Sequence, residues 1–157
     1  MFLYELFPPE LVKVGLEAED KDEVFEEMVD KFCQVSKLQV REPVLKALHI
    51  REAKMSTGIF KGIAIPHANT DAVDHICGVL GISKKGIDYD AQDGNLVYLL
   101  FMILVPPHDA EQHLRILRRL TNLLADESFY HDLLSQKESH AAVGVIRRYE
   151  DRLSSMD

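Results

Sequence analysis

An unbroken apolar run, Val97-Tyr98-Leu99-Leu100-Phe101-Met102-Ile103-Leu104-Val105, constrains this chain more than any other stretch. Asp93-Gly94-Asn95 marks a turn before it, and Pro106-Pro107 ends it because proline cannot donate to a sheet ladder. The run is far too short to span a bilayer as a helix, which takes about 20 apolar residues. It reads as the central strand of a sheet, buried on both faces. Such a strand needs helices above and below it, so the expected fold is α/β, a three-layer sandwich with the sheet in the middle. Pattern and spacing leave the strand directions open.

The remaining segments supply those layers. Val12, Val14 and Leu16 alternate with Lys13, Gly15 and Glu17, the pattern of a half-buried strand. Asp20 starts a helix, with Glu23 placed to complete a capping box. Val24, Phe25, Met28, Val29 and Phe32 form its apolar face. A second helix starts near Pro43, with Val44, Leu45 and Leu48 on its core side and Met55 a further candidate. A second doubly buried strand covers Ile76 to Ser83, and Gly86 with Asp88-Tyr89-Asp90 mark a turn region after it. A third helix covers about Asp109 to Ala125. His113, Leu117, Leu120 and Leu124 lie along one face, with Leu114 and Leu123 beside it. Phe129, Leu133 and Leu134 mark one closing helix; Ala142, Val145, Ile146, Tyr149 and Leu153 mark the last.

The chain has 157 residues, enough for one domain with a sizeable core, and no repeat or linker divides it. Its net charge of -8 argues against nucleic acid or an anionic membrane surface as the main partner. A partner with a basic docking face suits it better, and acidity for solubility alone explains the charge at least as well. Cys33 and Cys77 sit among apolar residues and read as small core residues in a reducing compartment. The first residues lack the charged flank and length of a signal peptide, and a cytoplasmic location is expected.

Chemistry points to Gly62-Ile63-Ala64-Ile65-Pro66-His67-Ala68. Gly62 to Ile65 reads as a short apolar strand that Pro66 terminates, delivering His67 into a loop at a sheet edge. Small and polar residues follow, so nothing bulky crowds the imidazole. Histidine can act as a covalent nucleophile, and with an ordinary pKa near ~6.5 it is largely neutral at cellular pH. The plain alternative is a solvated loop histidine. For Arg51 the plain reading is a solvated cation at a helix C-terminus, and for His113 a partly buried residue at the core rim. His108 and His113 without an acidic or cysteine partner make a poor metal site. Lys61-Gly62 has the wrong order for a phosphate-cradling loop, and no nucleophile elbow is present.

Arg51-Glu52, Ser56-Thr57-Gly58 and the heptapeptide from Gly62 to Ala68 together resemble the active-site signature of the enzyme IIA family of the bacterial phosphotransferase system. The type is the fructose/mannitol one, which includes the nitrogen-regulatory IIA proteins. The order of segments is similar from about Leu11 to Leu153. The resemblance implies a mixed sheet and a phosphoryl carrier. His67 would take the group from the phosphocarrier HPr and pass it to a cysteine of a IIB component. It implies that Arg51 holds the phosphoryl oxygens or orders the site. It also implies that His113, followed by Leu114, is the second histidine beside the acceptor. The Thr57 hydroxyl is the candidate for a hydrogen bond to the group. Neither Cys33 nor Cys77 resembles an acceptor loop, so IIB is expected on a separate chain. No metal or organic cofactor is implied, and the membrane is reached only through the IIC complex, which alone sees the sugar. A regulatory role of the nitrogen type fits the same motif.

Overall fold

The computed structural model describes residues 1–156. Six α-helices and six strands occur among the described residues. In order these are α1 (Leu3–Leu6), β1 (Val12–Val14), α2 (Lys21–Ser36), α3 (Arg41–Lys54), β2 (Gly58–Phe60), β3 (Ile63–Ala64) and β4 (His67–Asn69). Then come β5 (Cys77–Ile87), β6 (Val97–Val105), α4 (Ala110–Leu124), α5 (Glu127–Leu134) and α6 (Ser139–Met156). The strands form one sheet in the order β1-β5-β6-β3-β2, with β4 also paired to β6.

The sheet is mixed. β1 runs parallel to β5, β3 and β4 run parallel to β6, and β5–β6 and β2–β3 are antiparallel. The apolar run is β6, central in the sheet and buried on both faces as expected. Its Leu99, Phe101, Ile103 and Val105 pack with Leu3, Ile116, Phe129 and Ile146, under α1, α4, α5 and α6. Leu100, Met102 and Leu104 face Phe25, Met28, Val44 and Leu48 of α2 and α3. This is the three-layer arrangement, with a separate apolar core on each face of the sheet.

Several local expectations change. Asp20 caps α2 by accepting from the Glu23 amide at 2.9 Å, but the Glu23 carboxylate turns back to the Glu19 amide at 2.8 Å. Met55 is exposed, because α3 has already ended at Lys54. In α4 the buried residues are Ile116, Leu120 and Leu123, while Leu114 points outward. Gly86 lies inside β5, not in a turn. The β5–β6 register shifts between Ile82 and Ile87, and Gly86 absorbs the irregularity at φ 88°. Tyr89 is fully buried beside Phe25.

Candidate functional site

The site begins at a hairpin. Lys61 and Gly62 both have positive φ, 49° and 81°, the conformation of a two-residue turn that matches the twist of its strands. That turn folds β3 back on β2 and lays it beside β6. β3 ends ahead of Pro66, as expected, but the path along β6 resumes directly after it. Ile63 and Ala64 pair with Leu99 and Leu100; after Pro66, His67, Ala68 and Asn69 pair with Ile103, Leu104 and Val105 in the same register. The proline costs the ladder one donor, yet its carbonyl still accepts from Ile103 at 2.9 Å. His67 therefore opens a strand in place of lying in a loop, and its backbone is held against β6.

Two hydrogen bonds fix its half-buried ring. Arg51, in the last turn of α3, donates from Nε to His67 Nε2 at 3.2 Å. His67 Nδ1 lies 2.9 Å from the Ile65 carbonyl. A guanidinium nitrogen can only donate, so Nε2 accepts and the proton sits on Nδ1, donated to Ile65. The Nε2 lone pair thus faces Arg51. Burial lowers the basicity of His67; the Ile65 carbonyl opposes this, the Arg51 charge adds to it, and Glu52 opposes it. The neutral ring is favoured.

The short connection after β6 returns the chain as α4 over the same strand end and brings His113 to His67. The ring centroids are 5.3 Å apart and tilted by 59°. His113 Nε2 is buried without a hydrogen-bond partner among the described residues. Burial first, and then the neighbouring His67, lower its basicity too. A polar atom left unpaired at this depth is costly unless something occupies the site in use.

Thr57 lies nearby but faces inward. It is 3% exposed, and its hydroxyl donates to Glu52 Oε2 and receives from the Tyr89 hydroxyl, both at 2.7 Å. The contact with a bound group expected of that hydroxyl does not fit this geometry, because its one proton is already given to Glu52. Glu52 also accepts from the Thr57 amide at 2.9 Å and pairs with Lys21 at 3.0 Å. Burial, and next the Glu52 charge, push the Tyr89 phenol far up. Sequence reasoning missed Lys21, Tyr89 and the Ile65 carbonyl. Glu52 adjoining Arg51 was a visible signal; the burial of Tyr89, flanked by Asp88 and Asp90, was not. His108 stays exposed in the loop before α4, and His75 pairs with Asp74 at 2.6 Å on the surface.

A mixed sheet between two helical layers, with a histidine at a strand start beside an arginine and a second histidine, describes a class of small three-layer α/β proteins. Comparison places the chain within that class. The family described as "Phosphoenolpyruvate-dependent sugar phosphotransferase system, EIIA 2" matches residues 5–149. A fructose-specific EIIA component of Haloferax volcanii is 36% identical over 88% of this chain and 90% of its own length. A fructose-specific EIIABC component of Bacillus subtilis is 35% identical over 96% of this chain, which spans only 24% of that longer protein. The crystal structure of the nitrogen regulatory protein IIA-Ntr from Neisseria meningitidis superposes with a TM-score of 0.84 at 27% identity, covering 92% of this chain and 98% of that one. The chain belongs to the EIIA type-2 family of the sugar phosphotransferase system, and is a phosphotransferase component. Among the described residues no helix is long and apolar enough to cross a membrane.

Proposed function

We propose that this chain, as a single EIIA-type domain over residues 1–157, carries a phosphoryl group on His67 between an HPr-type phosphocarrier and the cysteine of a IIB component for sugar uptake. His67 Nε2 attacks the phosphorus of the donor's phosphohistidine in line; the donor N–P bond breaks as the new one forms. The Nδ1 proton stays on the ring, donated to Ile65. Transfer of this kind is mostly positioning and charge stabilisation. Arg51, already on Nε2, is placed to meet the phosphoryl oxygens. The free Nε2 of His113 is placed to bond an oxygen of the same group. The thiolate of IIB then takes the phosphoryl group, and His67 returns to its neutral form. Thr57 acts behind this site. The work takes place in the cytoplasm, with the membrane met only through the IIC complex.

The observation that carries this reading is the Arg51–His67 hydrogen bond, because it leaves the Nε2 lone pair as the only nucleophilic position of the ring. His67→Ala is expected to abolish phosphorylation by phospho-HPr. His113→Ala is expected to slow transfer by about 10²–10³, the usual loss of one charge-stabilising donor. Rapid-quench rates beside a thermal melt of each variant make the measurement. A His67→Ala protein carrying an acid-labile phosphate on His113 would reverse the roles.

A second reading, phosphorylation-dependent regulation, is favoured by the likeness to IIA-Ntr. Transfer from the phosphorylated chain to a IIB cysteine separates the two: a transport component passes the group on, and a regulator retains it.

A further inference from the structure

Glu52 has no step in the transfer just described, yet it is a buried carboxylate, 8% exposed. Its Oε1 accepts the Thr57 amide at 2.9 Å and pairs with Lys21 at 3.0 Å; its Oε2 accepts the Thr57 hydroxyl at 2.7 Å. These bonds tie the end of α3 to the start of β2. The bonding continues from there. The Thr57 carbonyl accepts the Ile65 amide at 3.0 Å, and the Ile65 carbonyl accepts from His67 Nδ1 at 2.9 Å. Arg51, which holds the other ring nitrogen, is the helical residue just before Glu52. Both contacts of the imidazole therefore trace back to one anchored turn.

We propose that Glu52 is a positioning residue for His67. By clamping Thr57 to the end of α3 it sets the distance between the Arg51 guanidinium and the Ile65 carbonyl. That spacing holds the ring between them in the Nδ1–H tautomer. The geometric part concerns the resting protein; the kinetic consequence rests on the proposed function. The role depends on the reach of the side chain. A glutamine keeps that reach: its oxygen can accept the Thr57 amide and its NH₂ can donate to the Thr57 hydroxyl, which is free to rotate. An aspartate keeps the charge beside Lys21 but withdraws it by one C–C bond, about 1.5 Å. A purely electrostatic role would rank the two variants the other way.

The test is ¹⁵N NMR of the His67 imidazole in the unphosphorylated full chain, for wild type, Glu52→Gln, Glu52→Asp and Glu52→Ala, beside transfer rates from phospho-HPr. Wild type and Glu52→Gln are expected to hold the proton on Nδ1. Glu52→Asp and Glu52→Ala are expected to populate the Nε2–H tautomer and to accept phosphoryl groups about 100-fold more slowly, the typical cost of misplacement by an ångström. If the alanine variant does not fold, the aspartate and glutamine variants decide. Thr57→Val retains the clamped amide and is expected to keep the wild-type tautomer. A wild-type tautomer in Glu52→Asp, or its loss in Glu52→Gln, overturns the proposal. A wild-type protein that accepts no phosphoryl group contradicts the proposed function instead, and the tautomer comparison still judges Glu52.

Discussion

At the residue scale the decisive group is the His67 imidazole. Histidine in water titrates near ~6.5, so a surface ring would lose nucleophile steadily in mildly acidic solution. Burial holds His67 below that value, with the Arg51 charge acting the same way against the Ile65 and Glu52 contributions. The folded state binds fewer protons on this group than the unfolded chain does. Its contribution to stability is complete above the unfolded pKa and is lost as pH falls through the depressed folded value. His113 acts in the same direction, through burial and then the charge of His67. NMR titration of the two rings is expected to give midpoints below about 6.5, with the phosphoryl-acceptance rate level down to the His67 midpoint. A midpoint at or above the free-histidine value would contradict the neutral, Arg51-bonded ring. The sequence made His67 and Arg51 visible through their motif. It did not reveal which ring nitrogen carries the proton, because that depends on Ile65 and Arg51 bonding to different ring nitrogens.

At the element scale, what could be read locally was read. The nine residues of β6 needed no partner to announce a doubly buried strand, and α2 announced its buried face through Val24, Phe25, Met28, Val29 and Phe32. Features set by pairing were hidden. Pro66 looks like a terminator, but the register of β6 carries the chain past it into β4. Gly86 looks like a turn, but it relieves a register shift inside β5. Two other β5 glycines are explained only by what crosses them. A Cβ on Gly78 would lie 2.6 Å from the Phe7 ring and 2.8 Å from Leu6, and one on Gly81 would lie 2.7 Å from Leu16. These neighbours are core side chains with no room to retreat. Gly78→Ala is expected to destabilise the fold by about 1–3 kcal/mol, the range for overpacking, read from denaturant midpoints. An unchanged midpoint would mean that α1 does not rest on β5 as closely as described.

At the scale of the whole molecule, the histidine pair joins β4 to the start of α4, with Arg51 of α3 on His67. Ile50, Met55 and Leu114, each within a few residues of Arg51 or His113, are 55%, 61% and 61% exposed. Apolar side chains displayed beside a reactive group suit a protein partner that must dock, exchange a group and leave. Leu114→Glu is expected to leave the melting temperature unchanged and to raise the KM for phospho-HPr by about tenfold, the scale of a modest interface contact. An unaltered KM would place the docking face elsewhere. The central claim is that one nitrogen, Nε2 of His67, takes the phosphoryl group while Nδ1 keeps its proton on the Ile65 carbonyl. The direct measurement is the ¹⁵N–³¹P coupling of histidine-labelled protein after phosphorylation by phospho-HPr. The expected result is a single coupled nitrogen, Nε2 of His67, with Nδ1 still protonated. Coupling to Nδ1 of His67, or to either nitrogen of His113, would contradict the account.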